Sequence, residues 1–146
     1  MTVRVQSETF DPGQELGTFA KGRHDVGAVV SFTGVVRDDT GDLRHMLIEH
    51  YPAMTQSAIE AIEAEAVKRW SLAECLIIHR FGEMKPGEQI MMVATAAGHR
   101  ADAFQACDFL MDYLKSRAPF WKKEVTKGGA DWVASKTEDE DALKRW

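Results

Sequence analysis

The stretch "GAVVSFTGVVRDDTGDLRHMLIEHY", residues 27–51, decides how the rest of the chain is read. Residues 27–37 are β-branched and apolar at both alternating positions, the pattern of a strand covered on both faces. "DDTGD" supplies the Asp and Gly residues of a turn, and "LRHMLIEHY" (43–51) resumes an extended pattern, so a β-hairpin is expected. A helix follows over "PAMTQSAIEAIEAEAVKRW", where Ile59, Ile62, Ala66 and Trp70 recur at helical spacing along one apolar face. Thr55 is expected to cap this helix, with Met54 and Ile59 closing a hydrophobic staple. Glu65 is expected to pair with Lys68 and Arg69 on the opposite face.

A second unit of the same kind lies downstream. "CLIIHRF" (75–81) and "QIMMVATAA" (89–97) flank the Pro-Gly turn of "GEMKPGE", and a second helix is predicted over 99–117. Ala103, Cys107, Leu110 and Leu114 line its apolar face with Phe104 and Met111 alongside, while Asp108, Asp112 and Lys115 fall on another side. Pro119 ends it, because the residue before a proline is pushed out of the α region. Upstream, "TVRVQ" alternates as a short strand, and "DPGQELGTFAKGRHDVG" is a loop around at most one short helix. Downstream, residues 125–131 form a loop, "DWVASK" (131–136) is a further strand, and "EDEDALKRW" is an acidic tail that ends cationic. Two hairpins, each followed by a helix, predict an α+β fold with a mainly antiparallel sheet and two principal helices, in a single domain over residues 1–146.

With 146 residues, 45% of them hydrophobic and 28% charged, the chain has the make-up of one globular domain. Its net charge of −5 argues against a general nucleic-acid binder, which needs a broad basic face. No apolar run reaches the roughly 18 residues of a membrane span. "MTVRVQSETFDPG" lacks a basic-then-apolar leader, which makes the cytoplasm the expected compartment. Cys75 and Cys107 form no C-x-x-C pair and no zinc spacing with the histidines, so no metal site is expected and both read as small buried hydrophobes.

Against this acidic background three places gather cations. In "AGHRAD", Gly98 permits a tight passage into the second helix, whose first N–H groups lack internal partners, so His99 and Arg100 can complete an anion site. The competing reading pairs Arg100 with Asp102 or with solvent. Arg37 ends the strand 27–37, and its simplest partner is Asp38, Asp39 or Asp42. "YLKSRAPFWKKE" (113–124) sets Lys115 in the last turn of the second helix, where the dipole and Asp112 account for it. Lys122 and Lys123 lie beyond Pro119 on another backbone path, held by a corner in which Phe120 and Trp121 pack. Neighbouring ammonium groups depress one another's pKa, and a lysine so placed can move a proton near neutral pH.

"GAVVSFTGVVRD", "IEHYPAMTQSAIEAI", "IIHRFGEMKPGE", "AGHRADAF" and "MDYLKSRAPFWKKE" together closely resemble the large, catalytic subunits of molybdopterin synthase, in order from about residue 27 to the terminal "KRW". The resemblance implies an α/β hammerhead fold and a sulfurtransferase of molybdenum cofactor biosynthesis. It implies a small ubiquitin-like partner that carries sulfur as a thiocarboxylate on its C-terminal Gly-Gly tail. Cyclic pyranopterin monophosphate is the implied substrate and molybdopterin, with its dithiolene, the implied product; two charged tails are consumed for each. No permanently bound cofactor is implied. The implied assembly is a heterotetramer, a central homodimer of large subunits with one small subunit at each end. Carried over by position, Lys115 and Lys122 are the catalytic residues. Arg37, His99 and Arg100 are expected to hold phosphate and pterin, with Lys123 and Glu124 lining the same pocket and Val35 and Val36 beside Arg37. The family pocket draws on the neighbouring large subunit, so Arg37, His99 and Arg100 are candidates to act in trans. Lys115 is open to two roles, proton transfer or a transient covalent step with the tail. The competing functional class is a non-catalytic dimeric module that binds a phosphate or nucleotide and regulates a partner. A scaffold that only holds the ubiquitin-like protein is the third reading.

Overall fold

The computed structural model describes residues 1–134 and 136–146. The elements run β1 (Thr2–Gln6), α1 (Pro12–Thr18), β2 (Ala28–Val35), β3 (Leu43–His50), α2 (Pro52–Trp70), β4 (Glu74–Arg80), β5 (Gly82–Met84) and β6 (Gln89–Ala97). They continue with α3 (Arg100–Ser116), β7 (Phe120–Thr126), β8 (Gly129–Trp132), α4 (Thr137–Ala142) and a 3₁₀ turn, Leu143–Arg145. The strands divide into two four-stranded sheets, ordered β1-β4-β6-β2 and β5-β3-β7-β8. Only the β1–β4 pair is parallel among the described pairings, so the α+β, mainly antiparallel reading holds, with α2 and α3 as its long helices.

The doubly apolar runs "CLIIHRF" and "QIMMVATAA" are the interior of the first sheet. On one face Cys75, Ile77 and Val93 join the main core beneath α2 and α3. On the other, Leu76, Ile78, Met92 and Ala94 pack with Phe10, Leu16 and Phe19 around α1. Strand β2 shares this composition but lies at the sheet edge, where Val29, Phe32 and Val35 are 47%, 40% and 48% exposed. The expectation of a strand covered on both faces therefore fails within one chain.

The first hairpin does not form either. Strand β2 pairs with β6, whereas β3 crosses into the second sheet between β5 and β7. "DDTGD" redirects the chain instead of reversing it, with Asp38 Oδ1 accepting from the Gly41 and Leu43 amides at 3.0 and 3.3 Å. The partner that β3 takes is β7, a strand formed where the sequence reading expects a corner and a loop. Strand β8 ends at Trp132, three residues after Gly129, so the strand expected over 131–136 starts earlier and is shorter; Ser135 lies outside the described residues.

Helix α2 starts three residues before the expected cap. Tyr51 is the N-cap residue and Pro52 occupies the first turn, where its missing N–H leaves no bond unmade. Thr55 is buried one turn in, its hydroxyl donating to the Tyr51 carbonyl at 2.8 Å and accepting from His50 Nδ1 at 3.0 Å. Met54 is 56% exposed while Ile59 is fully buried, so no staple joins them. Arg69 turns toward the chain end, donating to the Trp146 carbonyl at 3.3 Å, and not toward Glu65. In α3 the buried side is Ala103, Ala106, Cys107, Phe109, Leu110 and Leu114, whereas Phe104 points outward at 61% exposure. The buried Thr95 hydroxyl donates to the Ala103 carbonyl at 2.7 Å, which fixes α3 along β6. The acidic tail is docked: Trp146 meets Trp70 and Phe109 edge-on at 5.6 and 5.7 Å, and its indole N–H reaches Asp112 at 2.6 Å.

Candidate functional site

The end of α3 and the start of β7 form the lysine end of the molecule. Lys115 is exposed in the last turn of α3, and Asp112, its expected partner, is taken by Arg145 and Trp146. After Pro119, strand β7 pairs Phe120 with His50, Lys122 with Ile48 and Glu124 with Met46. Side chains alternate across a strand, so Phe120, Lys122 and Glu124 share the face of Ile48 and Met46, both of which belong to the core. Lys122 is thus half-buried on the inner face of its sheet. Burial, and next the Lys115 ammonium, hold its pKa below the ordinary lysine value; Lys136 adds to the lowering and Asp139 of α4 opposes it. Lys123 points the other way, its ammonium lying 4.7 Å from the Trp132 ring centroid. The structure therefore brings Lys115 and Lys122 together and separates both from Lys123.

The other candidates divide between the two ends of β2, with His99 and Arg100 at the start of α3 and Val35, Val36 and Arg37 at the far end. Gly27 donates to the Ala97 carbonyl at 2.9 Å, and a Cβ on it would stand 2.2 Å from the Gly98 carbonyl oxygen. Only glycine permits that approach, and it brings the start of β2 against the start of α3. His99 occupies the N-cap position without a side-chain cap bond, and both His99 and Arg100 are exposed. Arg37 is exposed beyond the far end of β2 and pairs with Asp39 at 3.3 Å, the surface partner its sequence neighbours suggest. Val35 is exposed at a register shift, whereas Val36 is buried with its N–H on the Glu88 carbonyl and its carbonyl accepting from Gly87. The backbone of Val36 is engaged within the fold.

Arg100 and Lys115 lie in one helix, fifteen residues and about 22 Å apart along its axis. A single small anion cannot touch both in one chain. Two surface grooves, of about 320 Å³ between α2 and α3 and about 330 Å³ beside β1 and α1, contain none of the candidate residues. Among the described residues no group of three or more His, Cys, Asp or Glu side chains is placed to hold a metal ion. Among the described residues no helix is long and apolar enough to cross a membrane. Cys75 and Cys107 are buried, and burial pushes both thiols up, Cys107 to about 11. Neither is poised as a thiolate.

The sequence reading missed the layer beneath Lys122. His79, 6% exposed, stacks on Phe120 with ring centroids 3.7 Å apart and planes inclined by 13°. The only signal for it is a histidine inside an otherwise apolar strand, "CLIIHRF".

Fold and site define a class: an α+β domain with a half-buried lysine beside one end of its central helix and an exposed histidine and arginine at the other. The chain belongs to the MoaE protein family, whose profile matches residues 5–117. It is 64% identical over 146 residues to the molybdopterin synthase catalytic subunit of Cereibacter sphaeroides, covering all of both chains. The solved molybdopterin biosynthesis MoaE protein of Burkholderia ambifaria superposes with a TM-score of 0.85 at 47% identity, over 99% of this chain and 97% of that one. A crystal structure of molybdopterin synthase from Staphylococcus aureus superposes at 0.81 with 28% identity, over 90% and 96%.

Proposed function

We propose that this protein is the catalytic subunit of a molybdopterin synthase, transferring sulfur from the C-terminal thiocarboxylate of a small ubiquitin-like subunit to cyclic pyranopterin monophosphate. The observation that carries the reading is the pairing of Lys115 with a half-buried Lys122 whose pKa burial and Lys115 lower. A thiocarboxylate and a cyclic phosphate are both anions, and bringing them together away from water is prohibitive without fixed cations. Preorganised ammonium groups offset that repulsion and stabilise charge that develops as the phosphate ring opens. Lys115, exposed and at a helix end, meets the tail and handles its proton or a transient covalent bond. Lys122 holds the anions.

The working unit is a homodimer. The edge strand β2 leaves Val29, Phe32 and Val35 exposed, and an unpaired, apolar edge is a template for a second chain. A partner copy docked there supplies its own His99 and Arg100 to the phosphate beside the first copy's lysines, which bridges the gap of about 22 Å along α3. Arg37 lies at the other end of β2 from His99 and does not reach that phosphate from the same copy. The small subunit then sits at each outer end, with its tail reaching Lys115 and Lys122.

The test mixes the pure protein with thiocarboxylated small subunit and cyclic pyranopterin monophosphate. Dithiolene product that disappears with Lys115→Ala supports the enzyme, and binding without product favours the regulatory module. Lys115→Arg keeps charge but cannot release a proton near neutrality, so full activity in that variant removes proton transfer from Lys115.

A further inference from the structure

Strand β4 carries, one residue before its end, a histidine that neither its own sheet nor the sulfur-transfer reading requires. His79 Nδ1 lies 2.8 Å from the Arg80 carbonyl. A ring nitrogen facing a carbonyl must carry the hydrogen, so Nδ1–H donates and Nε2 keeps its lone pair. Arg80 is itself held: its backbone is in register with Gln6 of β1, and its guanidinium donates to the Ser7 carbonyl at 3.1 and 3.2 Å and to the Gln89 carbonyl at 3.1 Å. The imidazole is therefore fixed in tilt as well as in place. It lies nearly parallel to Phe120, the first residue of β7, two positions before Lys122 on the same face. This stack joins the two sheets directly beneath the lysine.

We propose that His79 is a positioning residue for Lys122: as a fixed, uncharged platform it seats Phe120 and so holds the Lys122 ammonium in its half-dry position. A phenylalanine in its place would leave the Arg80 carbonyl without its donor. A charged imidazole would repel the lysine, and that state is suppressed. Burial, with the Lys122 ammonium as the largest opposing charge and His50 next, pushes His79 down to about 4. His50, on β3 at 6.0 Å from Phe120, spends its Nδ1–H on Thr55. The charged and titratable groups around the pair are thus His50 on β3, Lys115 on α3, and Lys136 and Asp139 at α4.

Because His79 is uncharged between pH 6 and 9 in this account, removing it takes no charge away from Lys122. Any change in the lysine's titration then reports position and hydration. The placement rests on contacts alone; its consequence for turnover rests on the sulfur-transfer reading.

The experiment measures the pH dependence of acylation of each lysine by acetic anhydride in the full-length protein, read by mass spectrometry, with exposed Lys127 as the internal reference. His79→Asn keeps a donor for the Arg80 carbonyl and removes the ring; Phe120→Leu removes the stack from the other side and leaves the hydrogen bond. In both, the midpoint for Lys122 is expected to rise toward the ordinary lysine value, leaving less neutral amine for acylation at a given pH. Phe120→Tyr keeps the ring and is expected to retain the wild-type midpoint. Where His79→Asn melts below the assay temperature, Phe120→Leu decides. An unmoved midpoint in a folded Phe120→Leu overturns the proposal, whatever the turnover. A moved midpoint with unchanged molybdopterin formation upholds the positioning and instead overturns Lys122 as a working group.

Discussion

Site sharing between two copies makes a quantitative prediction. Arg100→Ala and Lys115→Ala each leave both sites of a homodimer defective, at opposite ends of the same helix about 22 Å apart. Loss of a preorganised charge at such a site lowers turnover about 10²-fold or more, so each parent is nearly silent. In a mixed dimer the two changes fall into one site and leave the other intact. Random exchange of equal amounts gives about half mixed dimers, each with one good site of two, so about one quarter of the wild-type activity returns. The assay follows dithiolene formation after the two variants are mixed, exchanged by dilution and reconcentrated, with different affinity tags verifying that mixed dimers are present. Mixed dimers that stay at the sum of the parents refute the shared site. Restoration in the absence of mixed dimers refutes it equally.

Lys122→Gln is expected to abolish turnover yet stabilise the fold. A lysine whose folded pKa lies below its unfolded value binds fewer protons folded than unfolded, so it destabilises fully below the folded pKa, and the penalty fades as pH rises toward about 10.4. The variant should therefore melt higher than wild type at pH 7, by roughly 3 °C for a gain of about 1 kcal/mol, and the advantage should shrink as pH rises. Equal melting at pH 7 would remove the burial penalty. Cys75→Ala and Cys107→Ala should both keep sulfur transfer, since both thiols are buried and held protonated; lost turnover in a folded variant of either would displace the tail as donor. Trp146→Ala removes two edge-on aromatic contacts and the bond to Asp112. It should cost about 2 kcal/mol, roughly 6 °C in Tm, and a shift under 1 °C would mean the tail is not docked in solution.

The sequence made legible whatever local periodicity controls. β1 begins and ends where "TVRVQ" does, and the runs at 75–81 and 89–97 are core strands because both of their faces meet apolar partners. The faces of α2 and α3 follow their spacing. Long-range pairing was not legible. The apolar run at 27–37 reads like β4 and β6, yet β2 sits at an edge: Ala28 and Val30 meet the core, while Val29, Phe32 and Val35 stay exposed. Nothing local distinguishes a turn that reverses from one that sends β3 to another sheet. Strand β7 hid behind its lysines: "FWKKEVT" alternates only once Lys122 is accepted as an inward residue, and a charged side chain argues against that until its neighbours are seen. For the same reason Lys122 and Lys123 read as one cluster although they point to opposite faces. The site residues themselves came from resemblance, with spacing supplying little beyond the anion-binding potential of "GHR".

The acidic balance of the chain and its cationic site are compatible because the carboxylates are committed elsewhere. Glu15 takes Arg4, Asp25 takes Arg23, Glu140 takes Arg117, and Asp108 and Asp112 share Arg145. Among the described residues no carboxylate lies within 4.0 Å of the Lys115 or Lys122 ammonium, and Asp139 is the one acid that registers on Lys122. At physiological ionic strength charges beyond about 8 Å are largely screened, so an approaching anion responds to this local excess and not to the net −5. Arg117–Glu140 also ties α4 to the end of α3, holding Asp139 near enough to temper Lys122 without closing on it as a salt bridge. A closer carboxylate would raise the Lys122 pKa and occupy the place of an anionic substrate. The Arg117 bridge thus ties the acidic segment to the end of α3 while, among the described residues, none of its carboxylates forms an ion pair with Lys115 or Lys122.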